Sequence, residues 1–196
     1  MERKGLLLVT MEPPPAREEE FNAWYDSEHL PERFAVPGFE SARRYVCIEG
    51  FPRYLALYDL ASPAVLDSPD YLRVGGANSS PWTKRVTGNV RGYYRAPATQ
   101  IYPGTALTGA CARLTLLRFR GLGAEAERRI LEGLRLCYEK RPETRQLRLF
   151  SAPGARGLDF LGLVEARAPF PEATLDLPSF GTAADALDLV NTYAPY

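Results

Sequence analysis

The sequence predicts an α+β fold: two tandem β-α-β-β-α-β units, each a ferredoxin-like arrangement, packed sheet to sheet within one chain. Three observations carry this. Between residues 5 and 95, apolar runs and helical patterns follow the order strand, helix, strand, strand, helix, strand. The same order returns after residue 110, an internal duplication with a period of about 100 residues. One such unit covers only one face of its sheet with helices, so the other face needs a cover, which the second copy supplies.

The elements follow in order. Gly5-Leu-Leu-Leu-Val-Thr10 is an apolar run stopped by Pro13-Pro14-Pro15, which reads as a buried strand. A helix begins at Ala16. Its first turn holds Glu18, Glu19 and Glu20, where carboxylates complement the helix dipole. Phe21, Trp24, Tyr25 and His29 then recur at helical spacing on roughly one face. Pro31 and the turn Val36-Pro37-Gly38 are expected to end the helix. Residues 39–49 and 53–60 are β-rich runs joined by Gly50-Phe51-Pro52, a hairpin signature. Ser62 as N-cap and Pro63 at N1 predict a short helix over 62–72. A strand is expected over 84–95.

The first unit is thus assigned to residues 1–96. Residues 97–109, rich in Pro, Gly, Ala and Thr, read as a linker, and 110–196 as a second, degenerate unit. In the second unit, strands are expected over 111–119, 145–151 and 159–167. An amphipathic helix is expected over 123–140, with Ala126, Ile130, Leu134 and Cys137 on one face. A short helix over 182–190 and a terminal strand over 192–196 complete it.

Composition excludes several function classes. The 196 residues carry 24 basic and 24 acidic side chains, so no net field attracts a polyanion, and nucleic acid is not an expected partner. The apolar stretch near the N-terminus is too short for the core of a signal peptide or for a membrane span. Three widely spaced cysteines, Cys47, Cys111 and Cys137, build no disulfide framework and suit a reducing cytoplasm. His29 is the single histidine, which excludes a metal site built on two imidazoles. Its carboxylate neighbours Asp26, Glu28 and Glu32 form no further ligand cluster, so no metal is expected. Gly121-Leu-Gly123-Ala-Glu-Ala126 formally matches G-x-G-x-x-A. No acidic residue ends the next strand, and too little chain remains for a dinucleotide-binding sheet. Neither a phosphate-binding G-x-x-x-x-G-K-[ST] loop nor a G-x-S-x-G elbow is present. No cofactor is expected.

The block Trp24-Tyr25-Asp26-Ser27-Glu28-His29-Leu30-Pro31, followed by Val36-Pro37-Gly38-Phe39 and Ala42-Arg43-Arg44-Tyr45, resembles the EthD-like branch of the dimeric α+β-barrel superfamily. Tyr54-Leu55-Ala56-Leu57-Tyr58 and Ser80-Pro81-Trp82-Thr83 are similar to that branch as well. The resemblance covers roughly residues 5 to 95. It implies that two ferredoxin-like units close into a barrel, here a pseudo-dimer within one chain. It also implies a pocket between helices and sheet, faced by the first-helix histidine. Members and wider relatives include cofactor-free isomerases, polyketide cyclases, decarboxylases and monooxygenases.

His29 is the first catalytic candidate, since an imidazole near neutral pH serves as base or acid without a large pKa shift. Tyr25, one turn earlier, shares its face, and Asp26, three residues earlier, is placed to orient it. The plainer alternative leaves His29 at a helix end, paired with a backbone carbonyl. Trp24, Tyr45, Tyr54, Tyr58 and Trp82 are candidates to line an apolar pocket, or else core and barrel-seam residues. Arg43 and Arg44 face opposite sides of their strand. The one turned inward needs a partner: a substrate carboxylate or phenolate, or an internal acid such as Asp59. Arg43 is the substrate-binding candidate.

The expected function is cofactor-independent, His-assisted proton transfer on an apolar aromatic or polyketide-like small molecule: isomerisation, cyclisation, retro-aldol cleavage or decarboxylation. The alternatives are a non-catalytic hydrophobic-ligand-binding barrel, a cofactor-free monooxygenase, and a degenerate barrel whose pocket its own aromatics fill. Self-association into a homo-oligomer is compatible with the sequence.

Overall fold

Eight strands pair edge to edge until the ring closes. The computed structural model describes residues 2–171 and 174–196. The strands of the first half are β1 (Gly5–Glu12), β2 (Phe39–Glu49), β3 (Tyr54–Leu60) and β4 (Arg91–Tyr102). Those of the second are β5 (Arg113–Leu122), β6 (Thr144–Gly154), β7 (Gly157–Ala166) and β8 (Leu187–Pro195). Around the closed barrel they run β1-β3-β2-β8-β5-β7-β6-β4. Each half therefore repeats one order, fourth-first-third-second, and the halves meet along two antiparallel seams. Cys47 opposes Tyr193 across β2 and β8, and Thr99 opposes Ser151 across β4 and β6. Closure leaves no strand edge to aggregate.

The barrel explains the continuous apolar run that opens the chain. Leu6 and Leu8 of β1 point into the barrel, among Leu55, Leu57, Leu114, Leu116, Leu161 and Leu163. Leu7, Val9 and Met11 point outward, under the helices of the first half. A strand buried on both faces has no polar alternation to show. A third cluster, around Phe119, Phe160 and Phe180, lies under the helices of the second half. Among the described residues, no helix is long and apolar enough to cross a membrane.

The helical segments depart most from expectation. The first helix runs as α1 (Glu18–Trp24), a π turn over Tyr25–His29, and α2 (Leu30–Phe34). Pro31 does not end it. Proline has no N–H to give, and the wider π turn that precedes it leaves room for the ring. The helix expected over 62–72 is split into a 3₁₀ segment, Pro63–Asp67, and α3 (Pro69–Val74). Ser62 makes no side-chain cap; Ser68 does, accepting the Tyr71 N–H. A further helix, α4 (Pro81–Thr87), occupies the start of the strand expected over 84–95. Ser80 caps it and Pro81 sits at N1, the same signal as Ser62-Pro63. β4 consequently starts at Arg91 and continues through residues 97–102, part of the expected linker. In the second half, α5 (Ala126–Leu134) is again followed by a π turn, Arg135–Glu139. A 3₁₀ segment, Leu177–Ala186, stands where the last helix was expected, and residues 187–190 already belong to β8.

Candidate functional site

The π turn sets the geometry of the first half's cleft. At its end the Leu30 N–H bonds the Tyr25 carbonyl, five residues back. The wider turn brings Trp24, Tyr25 and His29 together on the sheet side, the His29 ring 4.4 Å from the Trp24 ring and 5.4 Å from Tyr25. Residue i+3 is carried off that face. Asp26 therefore does not orient His29. It is exposed and pairs with Arg44 at 3.0 Å on the other side of the helix.

His29 opens on a cleft of about 750 Å³ between helices and sheet. Leu7, Val9 and Met11 of β1 and Tyr58 of β3 form its floor. Trp24, His29 and Arg33 form one wall, and Tyr71, the loop 75–79 and Thr83 the other. Tyr93 and Arg95 of β4 stand at the rim. Trp24 is pinned, because its indole N–H donates to the Thr83 hydroxyl at 3.0 Å. Ser80 and Thr83 in turn donate to Glu28, which ties α4 to the π turn. Gly76 turns the loop with φ +57°, a left-handed conformation that glycine adopts without strain.

Several polar groups in this cleft lack partners. His29 Nδ1, Arg33 Nη1 and the Tyr58 hydroxyl are all buried without a hydrogen bond. Burial, and then the neighbouring Arg33 charge, pull the His29 pKa down to about 3. This corrects the expectation of an imidazole titrating near neutrality: His29 is neutral at pH 7. Burial pushes Tyr25 up to about 12 and Tyr58 well above its ordinary value, so both phenols stay protonated. Arg33 Nη2 donates to the Val74 carbonyl at 3.1 Å, and its guanidinium lies over Tyr71. Arg95 donates to the Tyr71 hydroxyl at 2.9 Å.

Of the other candidates, Tyr25 backs the cleft between Trp24 and Arg44, whose guanidinium stacks 4.2 Å from its ring. Arg44, not Arg43, is the buried arginine of the pair, held by Asp26 and Asn22. Arg43 is exposed and donates to the Thr108 carbonyl, outside the cleft. Tyr45 packs inside the barrel. Tyr54 lies on the helix side, bonded to Glu18 and Asn22. Trp82 is half-buried on α4 and is not part of the cleft lining. The cleft thus unites Trp24, His29 and Tyr58, with Tyr25 behind them. Sequence reasoning missed Arg33, Tyr71, Tyr93 and Arg95. Arg33 carried a usable signal, four residues after His29 on one helix face, obscured by ending the helix at Pro31.

The matching space in the second half is packed. Phe180 is fully buried against Phe119, and a Cβ on Gly133 of α5 would come within 2.6 Å of its ring. The self-filled barrel thus describes the second half, while the first keeps its cleft. Among the described residues no cluster of three or more His, Cys, Asp or Glu could hold a metal.

Comparison with solved structures places the fold among dimeric α+β barrels. The whole chain aligns with 92% of an anthrone oxidase-like protein, with a TM-score of 0.69 and 9% identity. It aligns with 96% of a proposed chlorite dismutase (TM-score 0.59, 8% identity). It aligns with 94% of a proposed monooxygenase from Lactobacillus acidophilus NCFM (TM-score 0.56, 8% identity). No protein-family model matches the sequence, and neither does any curated protein. Such identities carry the architecture alone, because one fold hosts many functions.

Proposed function

We propose that this chain is a cytoplasmic, EthD-like barrel enzyme that moves a proton, without a cofactor, on an apolar aromatic or polyketide-like small molecule. The observation that carries the reading is His29: a half-buried imidazole, neutral at pH 7, that lines an aromatic cleft of about 750 Å³ and whose Nδ1 has no hydrogen-bond partner. A neutral imidazole has a lone pair free to take a proton, and the burial and Arg33 charge that keep it neutral also make it a weaker base. The acidic carbon is one activated by an adjacent carbonyl or phenol. As His29 takes its proton, charge develops on that oxygen. The Tyr58 hydroxyl on the cleft floor, kept protonated by burial and lying beside Tyr25, is the donor that would turn to meet it. The Tyr58 and His29 rings lie edge to face, 6.4 Å apart, so both border the same part of the cleft. Isomerisation, cyclisation, retro-aldol cleavage and decarboxylation all begin with such an enolate or phenolate.

Oxygenation is a second reading, favoured by the anthrone oxidase-like neighbour. The same carbanion, formed at His29, is what dioxygen would oxidise.

The test compares wild type with His29→Ala on a panel of aromatic β-keto and hydroxy-aryl compounds, in air and under argon. Binding is followed by tryptophan fluorescence and turnover by mass spectrometry. Turnover should fall by about 10²–10⁴-fold in the variant while binding survives. Turnover that needs air selects oxygenation. Equal binding with no turnover in either protein would make the chain a ligand carrier.

A further inference from the structure

Three arginines are buried: Arg33, Arg44 and Arg148. Two are compensated. Arg44 pairs with Asp26, and Arg148 with Asp59 and Glu165. Arg33, only 4% exposed, has no carboxylate within ion-pair distance among the described residues; the adjacent Glu32, its Oε2 also buried and unpartnered, acts on it only at longer range. Its Nη2 has a backbone carbonyl and its Nη1 has nothing. A buried guanidinium cannot shed its proton and is costly without a counter-charge. The cleft itself supplies none: its lining holds His29, Arg33 and Arg95 and no Asp or Glu. The Arg33 charge adds to the burial that lowers the His29 pKa.

We infer that the cleft is built for a ligand that already carries an anionic oxygen before any chemistry: a planar, apolar acid whose carboxylate or acidic phenolate pairs with the Arg33 guanidinium in the cleft wall. This rests on the reading of the cleft as a small-molecule site and narrows the substrate class. An oxyanion that exists only in a transition state leaves Arg33 uncompensated in the bound ground state; a permanent anion does not. The rest of the lining suits a flat apolar body, with Trp24, Tyr58 and Tyr71 beside Leu7 and Val9. Because Arg33 lies one helical turn beyond His29, the acid group and the carbon that loses its proton are near neighbours on the ligand.

The experiment is calorimetric titration at neutral pH with 2-naphthoate, its neutral amide 2-naphthamide, and the acidic phenol 2,4-dinitro-1-naphthol. Wild type should bind the carboxylate at least about tenfold tighter than the amide, as charge-assisted pairing predicts. The phenol arm tells a carboxylate site from a phenolate site. In Arg33→Met the acid preference should vanish. In Arg33→Lys, which keeps the charge, most of it should remain. The unliganded Arg33→Met protein should also melt a few degrees higher than wild type, because an uncompensated charge has been removed. A merely structural Arg33 would lower the melting temperature and leave the acid-to-amide ratio unchanged. Acid and amide binding alike to wild type would overturn the inference while leaving the cleft a ligand site, and the wild-type comparison needs no variant to fold. An acid preference that survives in Arg33→Met would overturn it too. Binding of no probe at all would remove the small-molecule reading itself.

Discussion

At position 29, burial and charge act in the same direction. Both the aromatic surroundings and the Arg33 guanidinium disfavour the imidazolium, so the folded-state pKa of about 3 lies well below the ordinary 6.5. Between those two values the unfolded chain binds a proton at this site that the folded chain refuses. Stability therefore rises with pH across that window and is lost as pH falls from about 6.5 towards 3. The slope from this one site is at most about 1.4 kcal/mol per pH unit. His29→Gln removes this contribution and keeps a polar group of similar reach. Urea unfolding of both proteins between pH 7 and pH 4 should show the wild type losing ground to the variant as the medium is acidified. The carboxylates are common to both and cancel in the difference. A difference that stays flat across the range would mean that His29 is protonated in the folded protein. An anion on Arg33 would offset the electrostatic share of the shift, so ligand binding and proton uptake by His29 are coupled.

At the scale of elements, β1 and β3 were legible as apolar runs near Pro or Gly, and β2 lies where expected, whereas the mixed strands β4 and β8 begin away from their expected starts. Helix ends were less legible. A proline that would break an α-helix sits inside this one because a π turn precedes it, and no periodicity of 3.6 announces a local bond spanning five residues. The same turn defeats i,i+3 reasoning at Asp26 and hides Arg33 beyond an apparent helix stop. So Trp24 and Tyr58 of the cleft were readable, while Tyr71, Tyr93 and its cationic part were not. The second half shows why a repeated order of elements does not repeat a site. α5 carries Gly133 where Phe180 closes on the helix. Alanine there gains about 1 kcal/mol of helix propensity. It also places a methyl against three ring atoms of a fully buried phenylalanine, within 2.6–2.9 Å. Overpacking of that kind costs about 1–3 kcal/mol and the ring has nowhere to move. Gly133→Ala should therefore lower the melting temperature despite its better propensity, without altering ligand binding in the first half. A stabilised variant would show that the second half has slack.

The whole molecule is held by closure, and one buried charge cluster spans its parts. Arg148 of β6, fully buried, pairs with Asp59 of β3 at 2.8 Å and Glu165 of β7 at 2.9 Å, and donates to the Thr108 hydroxyl at 2.7 Å. Asp59 also accepts the Thr108 N–H, and Glu165 the Gly109 N–H. First half, second half and connecting segment thus share a single cation. Removing one partner of such a cluster leaves buried charge behind and costs about 3–5 kcal/mol, a large share of a domain's total stability of about 5–15 kcal/mol. This cost can be read as affinity between halves. Residues 1–105 and 106–196, produced as two chains, should copurify as a one-to-one complex, because each alone exposes its barrel face, Leu6, Leu8, Leu55 and Leu57 in the first and Leu114, Leu116, Leu161 and Leu163 in the second. Arg148→Met in the second piece should weaken that complex by roughly 10²–10³-fold, since each 1.4 kcal/mol is about tenfold. Size-exclusion chromatography and titration of one piece into the other measure both. Residues 1–105 behaving alone as a stable, soluble monomer would mean that the first unit does not need the barrel, and the charged cluster would then be an ornament of the closed chain and not its clasp.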